Sequence, residues 1–170
     1  LMKKLNLILI KILFLSILSV SPYFIANSNE YIIGLPEVID GDSIKINNTN
    51  IRLSGIDAPE KKQKCFKKKQ LYNCGFISLK ALKNYISKNL VSCSYSKKDR
   101  YGRILGTCYL YNNQVESLSL NSYMVNTGNA VAYRRYSKKY IVDEQFAKQN
   151  KLGMWQGKFI RPEEWRKKNK

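Results

Sequence analysis

The sequence contains no histidine and few acidic residues. Its 170 residues include 30 Lys and Arg but 12 Asp and Glu, which gives a formal net charge of +18. Without histidine the chain cannot build a Ser-His-Asp or Cys-His catalytic site or a histidine-ligated zinc site. Any catalysis must use carboxylates, Arg, Lys, Tyr or Cys. A hydrophobic content of 44% still permits a folded core, and so basic a folded body attracts polyanions or anionic membrane surfaces.

Long hydrophobic runs are confined to the N-terminus. Basic residues precede an apolar stretch at 5–20, and a polar segment follows it. This order is typical of an export signal, here with a cleavage site after Ser28. Uncut, the stretch is long enough to anchor the chain as a tilted membrane helix, and a buried core helix is the remaining alternative. We therefore expect three parts: a signal peptide or anchor at 1–28, a folded domain at 29–160 and a basic tail at 161–170.

The four cysteines all follow the predicted signal, and an even number in a small exported domain indicates two disulfides. The segment between Cys93 and Cys108 contains two strand-like arms around a polar turn. A hairpin folded symmetrically about this turn places the two cysteines opposite each other, at the spacing that a disulfide needs. Cys65 and Cys74 then form the second disulfide. Zinc is the alternative for four cysteines, but no C-x-x-C pair supports it.

Short strands with interspersed helices predict a mainly β, α+β fold in which helices pack outside a small closed barrel. The alternation of apolar and polar residues predicts a three-stranded meander, followed later by the cysteine hairpin. Apolar residues at helical spacing predict three helices. The meander strands are expected at 31–39, 43–46 and 51–53, and the helices at 76–88, 117–127 and 139–152.

Four of the twelve acids follow two strands of this meander. Asp40 and Asp42 follow the first strand, and Asp57 and Glu60 follow the third. Clustered carboxylate oxygens at two loop tips are ligands for a hard cation such as Ca²⁺ or Mg²⁺. Asp-Gly and Asp-x-Pro are also common turn formers, which is the simpler interpretation of each motif alone.

Two arginines favour the chemical interpretation. Arg52 lies five residues before Asp57, and Arg103 lies beside the predicted hairpin turn. Guanidinium groups bind phosphate oxygens in pairs and stay charged at any relevant pH. A metal ion, a carboxylate base and two arginines are sufficient to hydrolyse a phosphodiester without histidine.

Three sequence blocks together resemble the thermonuclease family, the staphylococcal-nuclease-like domains. They are VIDGDS at 38–43, IRLSGIDAPE at 51–60 and DRYGR at 99–103. The order and spacing of the blocks match the family over essentially the whole chain after the signal, and the paired cysteines resemble its exported bacterial branch. The resemblance implies a five-stranded OB-fold barrel with about three helices.

The resemblance also implies a calcium site. Asp42 and Asp57 would ligate Ca²⁺, with the backbone carbonyl of Ala58 as a further ligand. Asp40 would lie behind these ligands. Ala58 stands where some members of the family have threonine, a change that removes no carboxylate.

Catalytic roles follow from the same resemblance. Glu60 would act as general base on the attacking water, directly or through the water shell of the metal. Arg52 would bridge the phosphate and stabilise the transition state, and Arg103 would bind phosphate and assist the leaving 5′ oxygen. The family cleaves DNA and RNA to products that end in 3′-phosphate. The implied function is therefore an exported Ca²⁺-dependent nuclease.

Tyr101 and Tyr133 match positions at which members of the family place rings beside the nucleotide, although ordinary core or surface tyrosine is the alternative for both. Basic runs at 67–69, 134–135 and 138–139 could attract the nucleic-acid backbone or simply form a solvated face.

Two other functions remain open from the sequence. The first is a non-catalytic OB-fold protein that binds nucleic acid at the cell envelope. The second is a basic protein held at a membrane surface by an uncleaved N-terminal helix, which explains the charge but not the clustered carboxylates. We expect the protein to be a monomer.

Overall fold

The structure is a computed structural model that describes residues 30–111 and 118–169. The predicted signal peptide or anchor lies outside the described residues. Within them the chain forms ten strands and four α-helices: β1 Glu30–Gly34, β2 Glu37–Asp40, β3 Ser43–Ile46, β4 Thr49–Leu53, β5 Ile56–Asp57, β6 Cys65–Lys67, β7 Gln70–Tyr72, α1 Cys74–Ile86, β8 Val91–Lys98, β9 Ile104–Leu110, α2 Leu120–Asn126, β10 Val131–Ala132, α3 Ile141–Gln149 and α4 Pro162–Lys168.

The main sheet has six strands in the order β1-β8-β9-β4-β3-β2. Its two edge strands, β1 and β2, are consecutive in the chain and are separated by Leu35 and Pro36. Because proline donates no hydrogen bond and fixes its own backbone angle, it breaks the strand at this point. The short connection requires the sheet to curl until its edges meet. With β1 and β2 counted as one bent strand, this is the predicted five-stranded barrel, and the prediction is confirmed.

Strand register explains how the barrel is held together. β3 and β4 form an antiparallel hairpin, and β4 then pairs in parallel with β9. In the β8–β9 hairpin Cys93 lies directly opposite Cys108, and these two cysteines form a disulfide. Cys65 and Cys74 form the second one. Both predicted pairings are confirmed, and the described residues contain no free cysteine.

The core lies inside the barrel and beneath α1 and α2. Its fully buried residues are mainly the alternating aliphatic side chains of the strands, including Ile44, Ile51 and Leu53. The three predicted helices correspond to α1, α2 and α3, and the structure adds α4, which the sequence analysis did not predict. In the described part of the chain, no helix combines the length and apolarity needed to cross a membrane.

Candidate active site

The site begins where two barrel strands meet a turn. Register pairs Ser43 of β3 with Arg52 of β4, so Asp42, one residue before β3, lies beside the arginine. Asp57 ends β5, just beyond β4. Asp42 is 3% exposed and Asp57 1% exposed. The short meander therefore places two carboxylates in the protein interior, where each requires a charged or hydrogen-bonding partner.

Arg52 links these two carboxylates. Its Nη1 donates to Asp42 Oδ1 at 2.6 Å, and its Nη2 donates to Asp57 Oδ1 at 3.1 Å. The backbone N–H of Ala58 donates to Asp42 Oδ2 at 2.8 Å, and the Asp40 side chain accepts the backbone N–H of Asp42 at 2.9 Å. Asp40, Asp42, Asp57 and Arg52 thus form one connected network, in which Arg52 joins the two loop tips.

The carboxylates in this network carry more negative charge than the neighbouring arginines offset. Burial raises the pKa of Asp42 to about 7, although Arg52 opposes that shift. Burial also raises the pKa of Asp57, against the opposing effect of Arg166 and Arg52. For both carboxylates, the free energy lost when the ionised form leaves water is larger than the free energy gained from the neighbouring guanidinium groups. A cation bound here would stabilise both ionised carboxylates.

Several carboxylate lone pairs remain open for such a cation. A carboxylate oxygen accepts two hydrogen bonds. Asp42 Oδ2 accepts a single bond, from Ala58, and Asp57 Oδ2 accepts a single bond, from Arg166. Among the described residues no three His, Cys, Asp or Glu side chains converge on one metal position. The open lone pairs of Asp42 and Asp57 fit a hard cation that takes two carboxylates, with backbone carbonyl and water oxygens as its other ligands.

Glu60 joins the network through Arg166, an arginine outside the predicted site residues. Arg166, from α4, donates from Nη1 to Glu60 Oε1 at 3.0 Å and from Nη2 to Asp57 Oδ2 at 3.1 Å. The same Nη1 lies 2.9 Å from Asp57 Oδ1. Burial alone would lower the pKa of Arg166, but its bonds to Asp57 and Glu60 raise it, so it remains charged. Two arginines that lie far apart in the sequence, Arg52 and Arg166, thus both bind Asp57.

Arg103 lies at the edge of this arrangement. It immediately precedes β9 and stands two residues before Leu105, the register partner of Arg52. Its Nε donates to Asp99 Oδ2 at 2.8 Å, and its backbone N–H donates to Asp99 Oδ1 at 3.0 Å. Asp99 therefore fixes both the hairpin turn and the guanidinium. The side chain is 32% exposed, so one side of the guanidinium can still receive a ligand from solvent.

The two predicted tyrosines occupy different surroundings. Tyr101 is 68% exposed at the hairpin turn, and the guanidiniums of Arg100 and Arg103 lie over its ring. Tyr133 follows β10, whose Val131 pairs with Asp57. Burial and the Asp57 charge raise the pKa of Tyr133, as expected for a hydroxyl beside the carboxylates. A cleft of about 100 Å³ lies between this segment and α4.

The structure therefore connects Asp40, Asp42, Arg52, Asp57 and Glu60 and places Arg103 directly before β9, the strand that pairs with β4. It adds Arg166, which lies in the segment expected to be a basic tail. Pro162 at the start of α4, two glutamates in its first turn and three basic residues in its last turn are helix signals that the sequence does contain. They predict the helix but not its docking position.

Comparison with known proteins identifies the family. A family model described as staphylococcal nuclease homologue matches residues 50–157. The chain is 36% identical over 133 residues to the succinoglycan biosynthesis protein ExoI of Rhizobium meliloti, an alignment that covers 76% of this chain and 68% of the relative. It is 34% identical over 124 residues to an uncharacterized endonuclease of Escherichia coli, covering 69% and 72% of the two chains.

A third relative is the micrococcal nuclease of Shigella flexneri. It is 30% identical over 146 residues, and the alignment covers 78% of this chain and 79% of the relative. The matched family region contains Arg52, Asp57, Glu60 and Arg103 and ends before α4. The barrel, the carboxylate and arginine network and these alignments agree, and the chain belongs to the family of staphylococcal nuclease homologues.

Proposed function

We propose that this chain is an exported Ca²⁺-dependent nuclease that hydrolyses phosphodiester bonds of DNA, RNA or both and leaves 3′-phosphate ends. The observation that carries the proposal is the bridging of buried Asp42 and Asp57 by Arg52, with Glu60 attached to the same network. A purely structural ion cluster would need neither the excess of acids nor a half-exposed glutamate beside them.

Glu60 and Arg103 would act at the two ends of the bond change at phosphorus. Glu60 has a side chain that is 37% exposed, so it can meet a water molecule that approaches from solvent. It accepts the proton of that water as the oxygen attacks phosphorus. The P–O5′ bond breaks on the opposite side, and the 5′ oxygen leaves next to Arg103. This direction of attack leaves the phosphate on the 3′ oxygen.

Arg52 can bind the phosphate without releasing its carboxylates. A guanidinium has five N–H donors, and Arg52 uses two of them on Asp42 and Asp57. The remaining donors can follow the charge that develops on the phosphoryl oxygens in the transition state. Because Arg52 is held at both ends, it needs little reorganisation during the reaction.

Asp42 and Asp57 would hold the calcium ion, together with the carbonyl of Ala58. When bound, Ca²⁺ supplies positive charge that polarises the phosphate and favours deprotonation of water. Asp40 supports the ligands by accepting the backbone N–H of Asp42. Tyr101 and Tyr133 would lie against the nucleotide, where stacking tolerates any base.

Export is supported by the cysteines. Both disulfides form in the fold, and such bonds persist in oxidising compartments such as the periplasm or the extracellular medium. The apolar segment at 5–20 supplies the route, either as a cleaved signal or as a membrane anchor.

The test is a cleavage assay with purified protein on single-stranded DNA, duplex DNA and RNA, in Ca²⁺ and in chelator. We expect Ca²⁺-dependent cleavage and 3′-phosphate ends on the products. Glu60→Gln should lower the rate by about 10²–10⁴-fold and keep substrate binding, because it removes the general base.

Glu37→Gln is the matched control. It makes the same chemical change at an exposed position of β2, and it should cleave at the wild-type rate. Binding of nucleic acid by the wild type without any cleavage in Ca²⁺ would contradict the proposal and would favour the non-catalytic OB-fold protein instead.

A further inference from the structure

Helix α4 places a guanidinium on two of the site's acids, although it lies more than 100 residues away in sequence. Arg166 is 30% exposed and shares Asp57 Oδ1 with Arg52. It binds both oxygens of Asp57 and, through the same Nη1, one oxygen of Glu60. The planar fork of an arginine can bridge two carboxylates in this way, whereas the single ammonium of a lysine cannot.

The fold fixes the position of α4 through several independent contacts. Backbone hydrogen bonds pair Phe66 with Lys158 at 2.8 and 2.9 Å. Fully buried Gln63 donates to the carbonyl of Ile160 at 2.8 Å and accepts the backbone N–H of Glu60 at 3.3 Å. One side chain thus joins the start of α4 to the backbone of Glu60.

Ion pairs also hold the start of the helix. Arg161, the residue before α4, donates to Glu144 at 2.7 Å, and Glu144 is 1% exposed. Glu163 in the first turn pairs with Arg135 at 3.3 Å. The start of the helix is therefore held by two ion pairs, and Arg166 belongs to an element that the domain keeps in place.

Glu60 depends on this arginine for its orientation. Among the described residues, Arg166 alone bonds to the side chain of Glu60. A half-exposed glutamate without a partner samples several rotamers, because ordering it costs conformational entropy. A general base must stay within hydrogen-bond reach of its water, and small displacements cost much of the rate.

We propose that Arg166 is a positioning residue that holds Glu60 beside Asp57 in the orientation needed for the reaction. This inference rests on the nuclease function proposed above. Arg166 leaves Glu60 Oε2 and one lone pair of Asp57 Oδ2 unoccupied. It therefore orients the base without closing the site to a cation or to water.

The experiment compares Arg166→Ala, Arg166→Lys and Lys167→Ala in the full chain. Lys167 lies on the same helix and pairs with Glu163 at 3.3 Å, so its replacement removes the same charge from α4 without touching the site. For each protein we would measure kcat and KM on duplex DNA, the Kd for Ca²⁺ by calorimetry without substrate, and Tm in chelator.

For Arg166→Ala we expect kcat to fall by about 10²-fold, because the base loses its orientation. KM should stay within about threefold, and Ca²⁺ should bind as tightly as in the wild type or more tightly, because a competing positive charge has gone. Arg166→Lys should recover part of kcat, since an ammonium group supplies the charge but not the bridge. Lys167→Ala should match the wild type.

Three results would overturn the inference. An unchanged kcat in Arg166→Ala would show that Glu60 needs no such support, and a raised kcat would make α4 an inhibitory element. If kcat, Ca²⁺ affinity and Tm fell together in Arg166→Ala and again in Arg166→Lys, the role of Arg166 would be structural only. Absence of cleavage by the wild type and by Lys167→Ala would instead contradict the proposed nuclease function, so the two failures are distinguishable.

Discussion

Residues 30–111 and 118–169 contain two clusters of arginines around buried carboxylates, and the charge balance of the two clusters differs. We call them the barrel cluster (Asp40, Asp42, Asp57 and Glu60 with Arg52 and Arg166) and the Glu144 cluster (Glu144 with Arg134 and Arg161). The barrel cluster has a formal charge of −2 and the Glu144 cluster of +1.

The pKa shifts of the two clusters run in opposite directions. Burial alone would raise the pKa of Glu144, but the hydrogen bonds from Arg134 and Arg161 outweigh burial and lower it. The backbone N–H of Ala132 adds a further bond at 3.2 Å. In the barrel cluster burial prevails, and the pKa values of Asp42 and Asp57 rise.

The difference separates a structural cluster from one that is prepared for a ligand. Glu144 is fully satisfied by the protein, so its contacts serve to dock α4 and β10 against α3. The barrel cluster is stable in its ionised form when something outside the chain supplies positive charge. A divalent cation would bring its formal charge to zero, which agrees with the calcium site that we propose.

The largest expected effect on stability is that of Arg52→Ala. Removal of this arginine leaves Asp42 and Asp57 buried without the cation that joins them. In chelator we expect the free energy of unfolding to fall by about 3–5 kcal/mol, the cost of breaking a buried ion pair from one side. Addition of Ca²⁺ should restore part of this loss. Urea unfolding with and without Ca²⁺ measures both values.

Arg103→Ala is the control for Arg52→Ala. Arg103 forms a more exposed pair with Asp99 at the hairpin turn, so its loss should cost less than about 1 kcal/mol of stability. Equal losses in the two variants, or an Arg52→Ala protein that Ca²⁺ does not stabilise, would contradict the difference between buried site and exposed turn.

A smaller effect is expected for Glu144→Gln. This change removes charge-assisted hydrogen bonds from Arg134 and Arg161, which should cost about 2 kcal/mol at pH 7 whether or not Ca²⁺ is present. Because folding lowers the pKa of Glu144, its stabilisation is complete above the ordinary value of 4.5 and is lost as the pH falls through the lowered value.

Unfolding curves at several pH values check this result. Wild type and Glu144→Gln should differ at pH 7 and converge in acid. A deficit that persists in acid, or one that Ca²⁺ removes, would show that the Glu144 cluster is not the balanced structural cluster described above.

Much of the barrel cluster could be predicted from the sequence because its signals are local. Asp42 stands in a turn before β3 and Asp57 ends the short strand after β4, and a short meander brings such strand ends together. Arg52 lies on the strand between them. The cysteine hairpin was predictable for the same reason, since a symmetric turn sets the register that pairs Cys93 with Cys108.

Arg166, Gln63 and Glu144 could not be found in this way. Arg166 contacts Glu60 across 106 residues, and Gln63 contacts Ile160 across 97. Such contacts depend on how α4 packs on the finished barrel, which periodicity and turn chemistry do not specify. The charged composition of residues 161–168 indicates a basic tail until the acids that its arginines bind are known.

Titration of the chain with Ca²⁺ in a calorimeter, without nucleic acid, tests most directly whether the barrel cluster is a cation site. We predict one ion bound per chain, and an affinity about tenfold weaker or worse in Asp42→Asn, because the number of charged ligands sets the affinity of a calcium site. Asp143→Asn, the same change at a half-buried acid of α3 that accepts a hydrogen bond from Ser122, should bind like the wild type. No Ca²⁺ binding by the wild type, or equal binding by Asp42→Asn, would contradict the account.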